Sequence, residues 1–263
     1  MSIRLVLTDL DGTLLDPERN ISDEAVEIIA ELGRRGTLFT FITGRPWCAA
    51  ERFARRAGVT LPIITCNGGV LHQGETVLER HPMTIAPLRT LFEQAAGDGM
   101  TLLCSSEGRE FAMTETDWTR RRDYPIRWPS DREWEELRAD KLNIIPGEKN
   151  AAFRELFPLL DRLSKQYEIV RYDDTGCEIT AMGIHKASAV ANYAKRYGIA
   201  MQDVLAIGDN ANDIDMLRLA GVGAAVANAT DAAKAAADYI CANSNTEGVV
   251  EAIRRFCFRE AGE

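Results

Sequence analysis

The N-terminal stretch IRLVLTDLDGTLLD (residues 3–16) joins an apolar run to two carboxylates, Asp9 and Asp11, separated by one residue. The apolar run has the composition of a strand that is buried on both faces. Side chains two residues apart share a face of an extended chain, so both carboxylates would point together from the strand's end. Such a pair repels itself. It fits either a turn, which Asp and Gly favour, or a site that holds positive charge.

Further apolar runs alternate with helical patterns along both ends of the chain. The runs lie at 37–42, 61–65, 203–207, 222–227 and, more weakly, 238–241. Helices are predicted at 23–34, 47–57, 186–197, 211–219, 230–236 and 247–259. Ser22 is a candidate N-cap for the first helix, and Pro46 suits the first turn of the second. Near-continuous apolar strands that alternate with helices predict a parallel sheet covered on both faces.

The pattern changes between Pro82 and about Met182, where strands come in adjacent pairs. The pairs are 100–105 with 109–113, and 166–171 with 175–180. Adjacent strands form hairpins and therefore pair antiparallel. We expect a second, α+β domain at residues 82–182, inserted into a parallel-sheet domain that is built from 1–81 and 183–263.

Composition restricts the class of protein. With 263 residues, of which 46% are hydrophobic, the chain can bury a large core. A net charge of −9 opposes general binding to nucleic acid or anionic lipid. No apolar stretch has the length of a membrane span or the form of a secretory leader, so a cytoplasmic location is expected. The six cysteines have neither zinc-site spacing nor close pairs, which predicts reduced, packed thiols.

The run TRRRDYPIRW (119–128) is the most basic part of the chain and is interleaved with Trp118, Tyr124 and Trp128. Cations beside aromatic rings can contact nucleotides or sugars. We interpret the run instead as a solvated helix face.

Ligands of an open parallel sheet bind outside the carboxyl ends of its strands, so the residues that follow each strand are the candidate site. These residues are Asp9, Asp11, Thr43, Gly44, Arg45, Asn67, Asp209, Asn212 and Asp213, with Lys186 at the start of the helix that precedes 203–207. Four carboxylates at one edge would raise one another's pKa unless a cation lies among them. Mg²⁺ prefers oxygen ligands and often shares its site with phosphate. Thr43, Gly44 and Lys186 offer the groups that cradle such an anion.

The motifs DLDGTLLD, TGR, a lone lysine and GDNANDIDM, in this order, resemble the haloacid dehalogenase (HAD) superfamily of phosphatases. The NGG sequence at 67–69 and the insertion before Lys186 resemble its Cof-type branch, which comprises sugar-phosphate phosphatases with a large cap. The resemblance implies a Rossmann-like parallel-sheet core of the α/β class with an inserted α+β cap. Its motifs cover 1–81 and 183–263, whereas the cap is matched only by position and strand pattern.

The resemblance also implies roles for the site residues. Asp9 would attack phosphorus and form an aspartyl-phosphate, while Asp11 would protonate the leaving alcohol and then activate water. Asp209 and Asp9 would bind Mg²⁺ together with the backbone carbonyl of Asp11. Asp213 would support the metal directly or through water. Thr43, Gly44, Lys186 and Asn212 would bind phosphate, or Asn212 would position Lys186.

Substrate choice is expected to lie with the cap, together with Arg45 and Asn67. The expected substrate is a small phosphorylated metabolite, such as a sugar phosphate, and not nucleic acid or a membrane. The motif departs from many relatives at Ala187 and His185, and we expect His185 to make a local hydrogen bond. A sugar phosphomutase and a phospho-aspartate signalling switch are the alternative functions. The chain would act as a monomer or a homodimer.

Overall fold

The computed structural model describes residues 2–147 and 151–258. The strands are β1 (Leu5–Thr8), β2 (Leu38–Phe41), β3 (Ile63–Thr65), β4 (Val70–Gln73), β5 (Thr76–Arg80), β6 (Met83–Thr84), β7 (Thr101–Ser106), β8 (Arg109–Ala112), β9 (Ile126–Arg127), β10 (Arg138–Ala139), β11 (Lys141–Ile145), β12 (Tyr167–Arg171), β13 (Cys177–Ala181), β14 (Val204–Gly208), β15 (Val222–Ala225) and β16 (Tyr239–Ile240).

The helices follow the same order along the chain. They are α1 (Asp23–Arg34), α2 (Trp47–Arg56), α3 (Arg89–Gly97), α4 (Asp117–Arg120), α5 (Asp131–Glu136), α6 (Phe157–Leu163), α7 (Lys186–Arg196), α8 (Ile214–Leu219), α9 (Asp231–Ala236) and α10 (Asn245–Cys257).

A five-stranded parallel sheet of order β16-β15-β14-β1-β2 confirms the predicted α/β core. Leu5 on β1 pairs with Val204 on one side and with Leu38 on the other. All four residues of β1 are buried, as expected for a strand covered on both faces. A parallel bridge between Ile42 and Ile64 brings the end of β3 beside the end of β2.

Most predicted helices begin and end within two residues of the observed ones. Helix α1 spans the predicted range, and the Ser22 hydroxyl accepts a hydrogen bond from the Ala25 amide at 3.1 Å, as an N-cap should. Pro46 stands one residue before α2 instead of inside its first turn. The predicted helix at 211–219 divides into a 3₁₀ turn at Ala211–Asp213 and α8. The last residue of the predicted helix 247–259 lies outside the described residues.

The second large sheet has the order β12-β13-β11-β7-β8-β9 and contains both predicted hairpins. Strand β11, which was not predicted, pairs antiparallel with β7 and β13 and so joins the hairpins into one sheet. Strand β9, which was also not predicted, pairs parallel with β8. Buried residues from Met83 to Ile179 form an apolar cluster separate from the one around the parallel sheet.

Two small sheets were also not predicted. Strand β3, which lies inside the apolar run at 61–65, forms an antiparallel meander with β4 and β5, and β6 pairs with β10. All six cysteines are free thiols, four of them buried, as expected. No helix within the described ranges is long and apolar enough to cross a bilayer.

Gly223 on β15 provides a test of the packing between this strand and α8. A Cβ atom at Gly223 would lie 2.2 Å from the backbone oxygen of Leu217, and neither backbone can move freely. We expect Gly223→Ala to destabilise the protein by about 2 kcal/mol and to lower its Tm by roughly 4–8 °C. Thermal unfolding followed by circular dichroism measures this change.

Gly33→Ala is the matched control, because Gly33 lies in α1 and no atom would contact the added Cβ within 4 Å. Alanine favours a helix over glycine by about 0.5–1 kcal/mol, so this variant should unfold at the wild-type temperature or slightly above it. Equal melting temperatures for the two variants would contradict the close strand–helix packing.

Candidate active site

The predicted site residues lie at the carboxyl ends of adjacent strands of the parallel sheet. Asp9 follows β1 directly, Thr43 follows β2 by two residues, and Asp209 follows β14. The Asp9 amide donates a hydrogen bond to the Ile207 carbonyl at 2.8 Å, which joins the ends of β1 and β14. The sheet order therefore brings together residues that are 200 positions apart in the chain.

Three carboxylates converge at this edge. Asp9, Asp209 and Asp213 each offer one oxygen, and these oxygens all lie within 4.8 Å of one another. One octahedral ion could not bind Asp9 and Asp209 if their oxygens were more than about 8 Å apart, and the observed spacing meets this requirement. The Asp11 carboxylate is not a member of this group.

Lys186 lies among these carboxylates. It is the first residue of α7, and its side chain is fully buried. The Lys186 ammonium donates to Asp9 Oδ1 and, at 2.7 Å, to Asp213 Oδ1. His185 is the N-cap of α7, and its Nδ1 accepts a hydrogen bond from the Ser188 amide at 3.4 Å, as predicted.

Charge at the site is unbalanced, because one ammonium faces three carboxylates. Burial raises the pKa of Asp9 well above its usual value; Lys186 opposes this rise, and Asp213 and Asp209 add to it. Burial also raises the pKa of Asp209 to about 6. A hard divalent cation would stabilise the ionised carboxylates, so this donor set fits Mg²⁺.

The hydrogen bonds indicate which oxygens remain for a metal. Asp213 Oδ2 accepts from the Asp209 and Asn210 amides, both at 3.0 Å, while its Oδ1 accepts from Lys186. Asp209 Oδ1 accepts from the Thr13 hydroxyl at 2.7 Å. Of these three carboxylates, Asp9 and Asp209 each keep one oxygen, Oδ2, that accepts no hydrogen bond from the described residues.

Gly12 fits closely against Asp209. Its φ is +81°, and a Cβ atom there would lie 2.5 Å from Asp209 Oδ2. The Gly12 carbonyl accepts hydrogen bonds from the Asn228 and Asn245 side-chain amides at 2.7 and 3.0 Å. Glycine is therefore needed where the loop after β1 approaches the acidic group.

Asp11 is paired with Arg45. The guanidinium donates from Nε to Asp11 Oδ2 at 2.7 Å and from Nη2 to Oδ1 at 2.5 Å. Burial acts to lower the pKa of Arg45, but the hydrogen bonds and charge of Asp11 outweigh it and raise that pKa. Because 52% of the Asp11 side chain is exposed, its carboxylate can meet a ligand while Arg45 fixes its direction.

The turn at 43–45 precedes α2. Pro46 has an extended backbone (ψ 166°) and α2 begins at Trp47, as predicted, so Gly44 lies three residues before the helix. The Thr43 hydroxyl accepts from the Arg45 amide at 3.1 Å, so its own proton can be donated elsewhere. Within the described chain, the Gly44 amide donates to no acceptor, as an anion-binding amide requires.

Asn67 and Asn212 contact each other instead of Lys186. The Asn212 amide donates to Asn67 Oδ1 at 3.2 Å, and Asn67 in turn donates to Glu178 Oε2 at 2.7 Å. Within the described residues, the Lys186 ammonium donates to Asp9 and Asp213, so the expected alternative that Asn212 positions Lys186 stays a prediction.

Glu178 on β13 was not predicted as a site residue. It also accepts hydrogen bonds from Lys141, Tyr172 and, at 3.2 Å, Asn143. Burial acts to raise the pKa of Glu178, but the Lys141 charge and these hydrogen bonds hold that pKa below its usual value. The sequence could have indicated this pair, because each of two largely apolar segments, CEITA and KLNII, contains one charged residue.

A cavity of about 280 Å³ opens above Asp9 and Asp209 and is lined by strand residues of the antiparallel sheet and by residues that follow strands of the parallel sheet. Arg122, Trp118 and Tyr124 form part of its wall. The interpretation of residues 119–128 as a solvated helix face is wrong, because α4 ends at Arg120 and the chain then turns back to pair β9 with β8.

Curated relatives of this chain are phosphatases. It is 30% identical over 258 residues to 5-amino-6-(5-phospho-D-ribitylamino)uracil phosphatase YcsE of Bacillus subtilis, covering 97% of this chain and 96% of that protein. It is 27% identical to pyridoxal phosphate phosphatase YbhA of Escherichia coli, covering 96% and 98%. It is 29% identical to a phosphoglycolate phosphatase of Methanoculleus marisnigri, covering 97% of both chains.

Solved structures share the fold. A haloacid dehalogenase-like hydrolase from Bacteroides thetaiotaomicron has a TM-score of 0.80 at 26% identity, covering 97% of this chain and 99% of that one. The HAD subclass IIB sugar phosphatase BT4131 has a TM-score of 0.83 at 22% identity, covering 96% and 98%. Residues 6–253 match the family described as haloacid dehalogenase-like hydrolase. The chain therefore belongs to the haloacid dehalogenase-like hydrolases, in their Cof-type branch, and is a phosphatase of phosphorylated small molecules.

Proposed function

We propose that this protein is a Mg²⁺-dependent phosphatase that hydrolyses small phosphate monoesters, sugar phosphates among them, through an aspartyl-phosphate on Asp9. The observation that carries the proposal is the convergence of Asp9, Asp209 and Asp213 on buried Lys186, at the floor of a cavity that also exposes Asp11. The phosphatase names of the curated relatives support it.

In this proposal Asp9 and Asp209 hold the metal with their uncommitted oxygens, together with the backbone carbonyl of Asp11. Asp213 acts through water or by positioning Lys186, since both of its oxygens already accept hydrogen bonds. When bound, Mg²⁺ supplies positive charge that offsets these carboxylates and the phosphoryl oxygens.

The reaction then has two displacements at phosphorus. An Asp9 oxygen forms a bond to phosphorus while the bond to the leaving alcohol breaks, and protonated Asp11 gives its proton to that alcohol. Asp11, now ionised, takes a proton from water as the water oxygen attacks phosphorus. The Asp9–phosphorus bond breaks, and inorganic phosphate leaves. Lys186, the Thr43 hydroxyl, the Gly44 amide and Asn212 would stabilise the phosphoryl oxygens, and Arg45 would hold Asp11 in position.

Residues 82–182 act as the cap in this proposal, over a core of 1–81 and 183–263, and select the substrate together with Arg45 and Asn67. Lys141, Asn143 and Glu178 support this role because they come from the inserted segment and line the cavity. The cytoplasmic location and the monomeric or homodimeric state expected from the sequence stay predictions.

Asp9→Asn should abolish phosphate release, because an amide is a poor nucleophile. With Mg²⁺ and a panel of phosphorylated metabolites, we expect turnover to fall by at least about 10³-fold. Asp215→Asn is the matched control, since Asp215 is an exposed aspartate of the same GDNANDIDM motif with no assigned role, and it should keep wild-type turnover. Retained turnover in Asp9→Asn, or an isomeric sugar phosphate as the only product, would contradict the proposal.

Asp11→Asn should separate the two displacements. p-Nitrophenolate needs no proton to leave, so p-nitrophenyl phosphate should still phosphorylate Asp9. The second step loses its general base and should slow by about 10²–10⁴-fold. We therefore expect a burst of p-nitrophenol and a phosphorylated protein detectable by mass spectrometry. Rapid steady turnover without detectable phosphoprotein would contradict the role of Asp11 as general acid and base.

Mg²⁺ should stabilise the protein more at high pH than at low pH. Between pH 3.8, the usual pKa of an aspartate, and about pH 6, Asp209 binds a proton in the folded, metal-free protein. In the unfolded chain Asp209 is ionised over the same range. The stability of the protein therefore falls as pH rises through that window, and ionised Asp209 is left for Mg²⁺. At saturating Mg²⁺ we expect Tm to rise by about 5 °C at pH 8 and by much less at about pH 5.5. Equal rises, or an unchanged response in Asp209→Asn, would contradict this site.

A further inference from the structure

Arg122 lies on the cavity wall and has no carboxylate partner among the described residues. Its guanidinium lies over the Trp118 ring and 5.9 Å from the centre of the Tyr124 ring. Ring faces attract a cation and fix its position, but they do not neutralise its charge. The Arg122 Nε–H group is buried and has no hydrogen-bond acceptor among the described residues.

Two of the other three cationic side chains that line the cavity are paired with carboxylates. Arg45 is paired with Asp11, and Lys141 with Glu178. Arg19, which also lines the cavity, is exposed and therefore carries little desolvation cost. Arg122 differs from these three side chains because it is partly buried and its charge has no partner among the described residues. Such a charge is stabilised when an anion binds beside it.

Glu110 is an acidic residue whose charge acts on Arg122, but both of its carboxylate oxygens accept hydrogen bonds from other side chains. Glu110 Oε2 accepts from the Tyr124 hydroxyl, and Oε1 accepts from the Ser105 hydroxyl at 3.3 Å. Burial lowers the pKa of Arg122, and the nearby charge of Glu110 offsets this only in part. The guanidinium keeps its positive charge at neutral pH.

Asn143 adds a second unsatisfied group to the same wall. Its Nδ2 donates to Glu178 at 3.2 Å, whereas its Oδ1 is buried and accepts no hydrogen bond within the described ranges. Buried polar atoms without partners are rare in native proteins. The cavity thus presents an unpaired cation and an unpaired acceptor away from the acidic floor, which a ligand with an anionic group and a hydroxyl group would satisfy.

We propose that the substrate of this phosphatase carries a second anionic group, a carboxylate or another phosphate, in addition to the ester that is hydrolysed, and that Arg122 binds it. This rests on the proposed function, since it places the scissile phosphate at Asp9. A hydroxyl group of the same leaving group donates to Asn143. Phosphorylated sugar acids and sugar bisphosphates have this pattern, and the cavity of about 280 Å³ suits a small metabolite.

Matched pairs of substrates test the proposal. 6-Phosphogluconate and sorbitol 6-phosphate differ only at one end of the chain, where the first has a carboxylate and the second has a hydroxymethyl group. Fructose 1,6-bisphosphate and the two fructose monophosphates differ in a second phosphate. We expect kcat/KM of the wild-type enzyme to be at least about tenfold higher for the charged member of one pair, and the pair that responds identifies the anion. Equal kcat/KM values within both pairs would overturn the proposal.

Arg122→Gln should remove that preference, chiefly by raising KM for the charged substrate by about tenfold or more. Hydrolysis of p-nitrophenyl phosphate, which has no second anion, should stay within about twofold. Arg122→Lys should restore part of the preference because it restores the charge. Arg121→Gln is the matched control, since Arg121 is an exposed neighbour outside this cavity, and it should match the wild type on every substrate.

Three outcomes separate this proposal from the one on which it rests. If Arg122→Gln melts like the wild type and lowers kcat/KM equally for both members of a pair, Arg122 does not bind a second anion. If p-nitrophenyl phosphate hydrolysis depends on Asp9 but neither pair shows a preference, only the present proposal fails. If that hydrolysis survives Asp9→Asn, the proposed function itself fails.

Discussion

A single buried ammonium group holds together carboxylates from distant parts of the chain. Lys186 donates to Asp9, 177 residues away in sequence, and to Asp213, 27 residues away. Removing one partner of a buried ion pair typically costs about 3–5 kcal/mol, because the other charge is left uncompensated. The ends of β1 and β14 must therefore stay adjacent, and Gly12 must stay free of a Cβ atom so that Asp209 can lie beside them. One cation against three acids still leaves excess negative charge, and that excess makes the site suited to a divalent metal and a phosphoryl group.

Polar contacts extend from this acidic floor into the inserted segment. The hydrogen bonds run from Asn212 to Asn67 and from Asn67 to Glu178, which is paired with Lys141. Glu178 and Lys141 lie on neighbouring strands of the antiparallel sheet, whereas Asn67 follows a strand that reaches the edge of the parallel sheet. The cavity thus has a floor at the edge of one sheet and a wall beside the other, and the floor and the wall differ in charge. The floor is acidic, and the wall holds the unpaired guanidinium of Arg122.

Much of the parallel sheet was predictable because its strands are recognised from local composition. Strands β1, β2 and β14 are apolar except for Thr8 and Thr40, and helix α1 has its cap residue directly before it. Strand β11 was not predicted, because Lys141 and Asn143 interrupt its apolar pattern and their polar partner, Glu178, lies about 35 residues further along the chain. The segment 119–128 was misread for a related reason. Its charges suggested solvent, whereas the pairing of β9 with β8 turns Arg122 and Tyr124 toward the cavity.

The sequence alone determined the order of strands and helices in the parallel-sheet core, and with it the residues that follow the carboxyl ends of the core strands. It could do so because secondary structure in this core follows periodicity and cap residues within a few positions, and because parallel strands bring their carboxyl ends to one edge. Only the tertiary structure decided which charges are paired: Lys186 with two acids, Arg45 with Asp11, Lys141 with Glu178, and Arg122 with none of the described carboxylates. The energy of a charged side chain depends on its burial and on neighbours in space, and neither is encoded in any short stretch of the chain.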